Sequence, residues 1–434
     1  MSEDENKTAR TVRPKGVRSP KARAAQKVDV GAEVAPPDVT PLAKAGKKRP
    51  RSISREARRQ TEEVRKALMR SRFVGCLLGG AVGDALGAPV EFLHYTEIRE
   101  RFGPSGITAY APAYGRRGAI TDDTQMTLFT AEGLIRAWVR LSHRGIVSIE
   151  GMVAAAYVRW LRTQTGRPFQ QGDDDRLTGW LVTHEDLHHR RGPGETCLSA
   201  ISAMQALGYP ASNNSKGCGG VMRIAPVGLI KGQVEGDPKD TMDLGKSLAA
   251  LTHGHPTGSI AAGALAVLIA EIVRGGSLTD GLAAVHACLA NEKEGQETDD
   301  ALAHAEELAR THPKDPVKAL SALGQGWIAE EALAIAVYCA LTAKDFADGV
   351  IRAVNHDGDS DSTGSITGNI LGALWGDSAI PISFLDPLEL RDVITEIAQD
   401  LAAFRDWDIA DYDDVGSRTN HALSEQVFAK YPGY

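Results

Sequence analysis

The stretch GCLLGGAVGDALGAPVEF runs from Gly75 to Phe92 and puts Gly75, Gly79, Gly80, Gly83 and Gly87 at three- and four-residue spacing. On a helix that spacing lines one face with residues lacking a side chain, so a second backbone can approach closely. Helical geometry is disfavoured just before a proline, so the helix is expected to stop near Gly87 and Pro89. Glu91 then follows the break, on a loop from which a carboxylate can reach into a cleft. A packed glycine-rich helix followed by an exposed acid is the alternative reading of the same residues.

Outward from this stretch the pattern is helical almost throughout. Ala- and Leu-rich segments with three-to-four spacing recur at 124–141, 149–162, 197–207, 241–252, 259–274, 277–291, 298–311, 329–343, 346–355, 365–375 and 387–403, with Gly or Pro between them. Period-two strand runs are missing. The expectation is an all-α fold: one compact multi-helix domain over residues 69–405, with several helices apolar on every side and so buried. The tail, 406–434, is polar and is expected to be irregular apart from a short helix around His421–Lys430.

Residues 1–68 differ from the rest. Residues 1–60 hold sixteen Lys plus Arg against seven Asp plus Glu, a charge of +9, so the remainder carries −7 − 9 = −16. With Pro14, Pro20, Pro36, Pro37, Pro41 and Pro50 and few large apolar residues, this arm is expected to be largely disordered. A charged helix capped by Ser54 should lead from it into the core. The arm reads either as a solubilising tail or as a docking segment for an acidic partner.

Composition narrows the function classes. The chain has 434 residues and a net charge of −7, so as a whole it is not built to coat nucleic acid. Cys76, Cys197, Cys218, Cys288 and Cys339 are odd in number, widely spaced and without a CxxC pair, which argues against a zinc ribbon or disulfide scaffold and for buried thiols in a reducing compartment. The most apolar stretch, 259–273, contains Glu271 and reads as a core helix rather than a membrane span. With no secretory signal in view, a cytoplasmic location is expected.

Two acidic clusters carry the chemistry. In ITDDTQMTL (120–128), Thr121, Asp122 and Asp123 precede an amphipathic helix. One of them could simply cap it, but two adjacent acids with a hydroxyl also form a hard-oxygen donor set for magnesium, calcium or manganese. In NHDGDSDSTGSITGNILGALWG (355–376), Asp357, Asp359, Asp361 and Ser362 crowd together before a glycine-rich apolar helix. The likeness to a calcium-binding EF-hand loop is partial, since the acidic twelfth ligand is missing. A solvated acidic loop is the alternative, yet the apolar helix pins these acids to the core, where they would repel one another without a cation.

Two further segments are weaker. SKGCGGVMRIAPVGL (215–229) is a glycine-rich turn, including Gly217, Gly219 and Gly220, whose N–H groups could nest a phosphate; Arg223 could add charge or hold a carboxylate. LTHGHPTG (251–258) offers His253 and His255, which suit hydrogen bonding to a ligand or backbone better than zinc.

The ordered set GCLLGGAVGDALGAPVE, TDDTQMTL, CGGVMRIAPVGL, THGHPTG, GWIAEEALAIAVY (326–338) and GDSDSTGSITGNILGALWG resembles that of the ADP-ribosylglycohydrolases, which include the dinitrogenase reductase-activating glycohydrolase and the ADP-ribosyl-acceptor hydrolases. The resemblance spans roughly residues 70–380 and leaves the basic arm outside. It implies an all-α enzyme that removes ADP-ribose from a modified protein side chain, arginine being favoured over serine or a small adduct. It also implies two divalent cations, magnesium or manganese. By motif position Thr121, Asp122 and Asp123 would ligate one, Asp361 would bridge to the second, and Asp359 and Ser362 would complete the set, with Ser362 standing where the family usually has Thr. Glu91 matches the family's mobile acid and, with Asp122 and Asp123, would serve in catalysis. Gly217, Gly219, Gly220, Met222, Arg223 and His253 would lie near the ADP-ribose, and Asp357 stands where many relatives have Gly.

Some relatives act as immunity proteins against an ADP-ribosylating toxin, so the basic arm could dock in such a transferase's acidic cleft. The alternative is a non-catalytic protein that binds ADP-ribose or sequesters a transferase; the intact Asp122, Asp123, Asp359 and Asp361 favour catalysis.

Overall fold

In a computed structural model, which describes residues 55–165, 178–409 and 421–433, the glycine stretch forms the end of one unbroken 33-residue helix, Arg55–Gly87. The charged segment expected before the core and the glycine-rich segment within it are therefore one element, exposed at its start and buried from Phe73 onward. The basic arm and its proposed cap, Ser54, lie outside the described residues.

The glycine face meets a second glycine-rich helix, Ser360–Trp375, running antiparallel to it. Gly75 faces Gly372, Gly79 faces Gly368, Gly83 faces Gly364, and Gly87 faces Ser360. A Cβ added at Gly83 would overlap the carbonyl oxygen of Gly364, and one at Gly368 would overlap that of Gly79. The two backbones are thus in contact at four successive positions, a separation only glycine permits. Because the pair is antiparallel, the end of the first helix lies beside the start of the second. That places the Glu91 loop against Asp359 and Asp361.

Around this pair the remaining helices bury their apolar faces in one core, and the described residues form one compact unit. Asp122–Arg144 packs on Ile149–Thr163, and Pro238–Ala250 on Pro256–Arg274. Pro256–Arg274 is long and apolar enough to cross a membrane by composition, yet 89% of its most apolar window is buried inside the protein. It is a helix apolar on every side because it is surrounded by others.

Among the described residues, the all-α expectation meets one small exception. Pro112–Ala113 pairs antiparallel with Arg116–Arg117, a hairpin too short to show a period-two signal. Helices at Tyr95–Phe102, Ala225–Gly232 and Pro316–Leu323 are additions to the expected set, each only eight residues long and so too short to display a clear period. The segment 387–403 is helical only from Arg391, and the acidic run expected as a loop before Ser365 is helical from Ser360.

The last described segment, 421–433, contributes to the core through Val427 and Tyr431. His421–Lys430 is helical as expected, and Tyr431 beyond it is fully buried. Arg136, itself buried beside Glu132, donates to the carbonyl of Pro432 at 2.7 Å and to that of Thr178 at 2.8 Å. Arg159 completes this group with a 2.7 Å ion pair to Glu132. Buried guanidinium groups satisfied this way tie four segments together.

Candidate active site

Three helix boundaries deliver the acids. After Gly87 the backbone turns, with Glu91 N–H donating to the carbonyl of Gly87 at 3.0 Å, and Phe92 adopts a positive φ of 68°. The turn directs Glu91 toward Asp359 and Asp361, and one carboxylate oxygen from each of the three lies within 4.8 Å of the others. Asp361 and Ser362 occupy the first turn of Ser360–Trp375, where the unpaired N–H groups of a helix start favour negative charge. Asp359 is fixed just ahead of them, its N–H donating to the carbonyl of Gln325 at 2.9 Å.

Thr121, Asp122 and Asp123 occupy the corresponding position on Asp122–Arg144. Thr121 caps that helix, its Oγ1 accepting from Asp123 N–H, as the capping reading has it. All three are buried. Asp122 accepts from Gly194 N–H at 3.3 Å, while its own N–H donates to the carbonyl of Arg191. Asp123 Oδ1 is buried without any hydrogen-bond partner.

Asp84 belongs to this group and was not singled out in the sequence. It lies one turn before Gly87 and is fully buried. Its carboxylate accepts from the N–H groups of Thr121 and Thr124, at 3.0 and 3.1 Å, and from the Thr124 hydroxyl. It holds the first turn of Asp122–Arg144 from beneath.

The cluster is strongly acidic. Among the described residues, no Lys or Arg forms an ion pair with Asp84, Glu91, Asp122, Asp123, Asp359 or Asp361. Burial, reinforced by the charge of Asp361, pushes the Asp84 carboxyl up to about 7 and Glu91 up to about 10. Asp122, Asp123 and Asp359 are raised for the same reasons, burial first. So many buried carboxylates cannot all ionise together without a compensating positive charge. Hard oxygen donors, an unpartnered Asp123 Oδ1 and no cationic side chain fit a divalent metal ion, and Glu91, Asp359 and Asp361 could hold one.

The glycine-rich turn borders this cluster. Cys218–Gly220 is a single 3-10 turn, joined to the next segment where Cys218 N–H donates to the carbonyl of Trp327. The Cys218 thiol donates to Asp359 Oδ2 at 2.7 Å, so a cysteine read as a scattered buried thiol is a neighbour of the acids. Arg223 lies under the turn rather than in a cleft: it is fully buried and donates to the carbonyl of Gly219, to Thr252 Oγ1 and to Tyr157 Oη. Met222 is buried too, its sulfur 3.9 Å from the Ser362 hydroxyl. His253 packs beside Gly219, and burial together with Arg223 lowers it to about 3, so its ring is neutral. His255 caps Pro256–Arg274 through Thr257 N–H, a backbone role. Asp357 leaves the cluster, accepting instead from Tyr95 N–H at 2.5 Å.

One wall was not read from the sequence at all. Tyr114, at the hairpin tip, has a positive φ of 48°. Its ring lies 5.2 Å beneath the Arg191 guanidinium, and its carbonyl accepts from Arg191 Nη1. Burial and then Glu91 raise its phenol, which marks it as a neighbour of that acid. Arg191 and Arg116 share Glu389, tying the hairpin to the segment that closes over Asp122.

Comparison with known proteins identifies the family of the chain. Residues 65–409 match the family described as ADP-ribosylglycohydrolase. The chain is 30% identical over 343 residues to an uncharacterized protein of Archaeoglobus fulgidus, covering 77% of this chain and 96% of that one. It is 27% identical to the ADP-ribosyl-[dinitrogen reductase] glycohydrolase of Rhodospirillum rubrum, covering 74% and 91%. It is 25% identical to an ADP-ribosylarginine hydrolase of Serratia proteamaculans, covering 75% and 78%. A solved structure described as an ADP-ribosylglycohydrolase-related protein complex is similar at a TM-score of 0.55 and 27% identity, over 78% of this chain and 99% of that one.

Proposed function

Because the chain belongs to the ADP-ribosylglycohydrolase family, we propose that it hydrolyses the N-glycosidic bond between ADP-ribose and an arginine side chain of a modified protein. Water adds across that bond: hydroxyl goes to the anomeric carbon of the ribose, and a proton goes to the departing guanidine nitrogen. The observation that carries the reading is the convergence of Glu91 with Asp359 and Asp361, which lie far from it in the chain, together with the buried Asp123 Oδ1 that has no hydrogen-bond partner. The arginine linkage is supported by likeness to the Serratia hydrolase.

Each group has a part in this proposal. Thr121, Asp122, Asp123, Asp359, Asp361 and Ser362 would hold two divalent cations, magnesium or manganese, which when bound supply fixed positive charge beside the ribose hydroxyls and the attacking water. Glu91, on a loop rather than in a helix, moves a proton between water and leaving group, with Asp122 and Asp123 as the acids that orient the water. The transition state has oxocarbenium character, which surrounding carboxylates favour. The N–H groups of Gly217, Gly219 and Gly220 neutralise the diphosphate, while Arg223 and Met222 hold their turn from below and neutral His253 lines it.

The test is release of free ADP-ribose from an ADP-ribosylated arginine substrate, with and without magnesium, comparing the wild type with Asp359→Ala. We expect magnesium dependence and a loss of roughly a hundred-fold or more in the variant. Equal release by the two proteins would remove the assignment of the ligands.

A further inference from the structure

We infer that Tyr114 is a positioning residue for Glu91: its phenol donates a hydrogen bond to the Glu91 carboxylate across the open side of Gly192. The inference rests on the catalytic part given to Glu91 above and deepens it.

The fold fixes Tyr114 in a strained conformation. It stands at the tip of the hairpin formed by Pro112–Ala113 and Arg116–Arg117, with a φ of 48° that disfavours any residue bearing a Cβ. Its ring lies 5.2 Å from the Arg191 guanidinium, and its carbonyl accepts from Arg191 Nη1 at 3.3 Å. Arg191 is itself held by Glu389 at 2.9 Å, while its own carbonyl accepts from Asp122 N–H. Arg116, two residues after Tyr114, also reaches Glu389. Strain kept in place by such a frame gathers at functional positions.

The frame anchors the backbone and the ring and leaves the hydroxyl. Gly192 follows Arg191 at a φ of 67°. A Cβ on it would lie 2.8 Å from Tyr114 Oη and 3.8 Å from Glu91 Oε2. The two oxygens therefore border one small space that glycine keeps clear. Among the described residues, neither oxygen has a hydrogen-bond partner. Burial first, and then the charge of Glu91, hold the phenol above its ordinary range, so it keeps its proton and can donate.

Glu91 is half-buried on the turn after the first helix, and a small rotation of its side chain closes the remaining gap. The bond then fixes the direction of the carboxylate while it exchanges a proton with water and leaving group. Tyr114 keeps its own proton throughout. The competing account is mechanical: the ring would only cushion Arg191 and hold the hairpin. Phenylalanine separates the two, since it keeps the cushion and removes the hydroxyl alone.

The experiment uses the full chain with magnesium, on an ADP-ribosylated arginine substrate and an ADP-ribosylated serine peptide in parallel. It measures kcat and KM for the wild type, Tyr114→Phe, Glu91→Gln and the double variant. We expect Tyr114→Phe to lower kcat roughly ten-fold with KM within about two-fold, and to cost less than about two-fold once Glu91 is glutamine. Its urea midpoint should match the wild type. The same fall in both backgrounds overturns the inference, because Tyr114 would then act independently of Glu91. Unchanged kcat overturns it in favour of the cushion, and a rise in KM alone overturns it by making Tyr114 a substrate contact. Glu91→Gln with wild-type kcat removes the part given to Glu91 and the inference with it. Release from the serine peptide alone sinks the arginine reading, and the cycle on that peptide then decides the inference. Release from neither substrate removes both.

Discussion

The Asp84 carboxylate accepts both the backbone N–H and the hydroxyl of Thr124, 40 residues away, so the first helix caps the helix that carries Asp122 and Asp123. Asp84→Ala would leave the N–H groups of Thr121 and Thr124 buried without acceptors. The expected cost is about 1–3 kcal/mol of stability, measured by urea denaturation in magnesium. ADP-ribose release should fall too, because the turn that positions Asp122 and Asp123 loosens. Unchanged stability would mean that Thr121 alone suffices as the cap.

The glycine interface makes a sharper steric prediction. Gly368→Ala places a methyl group into the carbonyl oxygen of Gly79, and neither backbone can retreat without moving a whole helix. Destabilisation of about 3 kcal/mol or more is expected, at or beyond the upper end for overpacked cores. Gly236→Ala is the control, since a Cβ there meets nothing within 4 Å, and it should stay within about 0.5 kcal/mol of the wild type. Thermal or chemical denaturation of the two variants decides the matter.

The parts of this site that were legible in the sequence are those whose signal is local. Glycine at four-residue spacing announces a close backbone approach wherever the partner lies, and a threonine before two adjacent acids announces a helix start. Asp84 was missed because its partners, Thr121 and Thr124, are set by the packing of two helices. Cys218 and Tyr114 were missed for the same reason: their neighbours, Asp359 and Arg191, arrive from distant segments. Arg223 shows the converse. A charge beside a glycine-rich turn suggests an exposed anion site, and only the fold reveals that its guanidinium is fully buried.

His286 should give the protein a pH-dependent contribution to stability away from the site. It joins Leu278–Leu289 to Gln296–Thr311, with Nδ1 2.6 Å from Asp299 and Nε2 2.9 Å from Glu306. Burial opposes its charge, but the hydrogen bonds to the two carboxylates outweigh burial and leave its pKa raised. A raised folded value means the contribution is complete below the unfolded value of about 6.5 and is lost as pH rises through the folded value. Urea midpoints for the wild type should fall across that window, and His286→Gln should flatten the fall. A variant that keeps the wild-type slope would assign the dependence to another group.

Arg223 separates a structural from a ligand-binding role in one measurement. Its guanidinium donates to Gly219, Thr252 and Tyr157 and stacks 4.6 Å from the Tyr157 ring, which leaves it no face toward a ligand. Lysine cannot reproduce that fan of donors, so Arg223→Lys should leave buried acceptors unmatched and cost about 2–3 kcal/mol. A direct contact with the diphosphate would instead appear as weaker ADP-ribose binding at unchanged stability. Calorimetry of ADP-ribose binding beside urea denaturation tells the two apart. The expected result is a clear loss of stability, with any loss of affinity following from a looser Gly217–Gly220 turn.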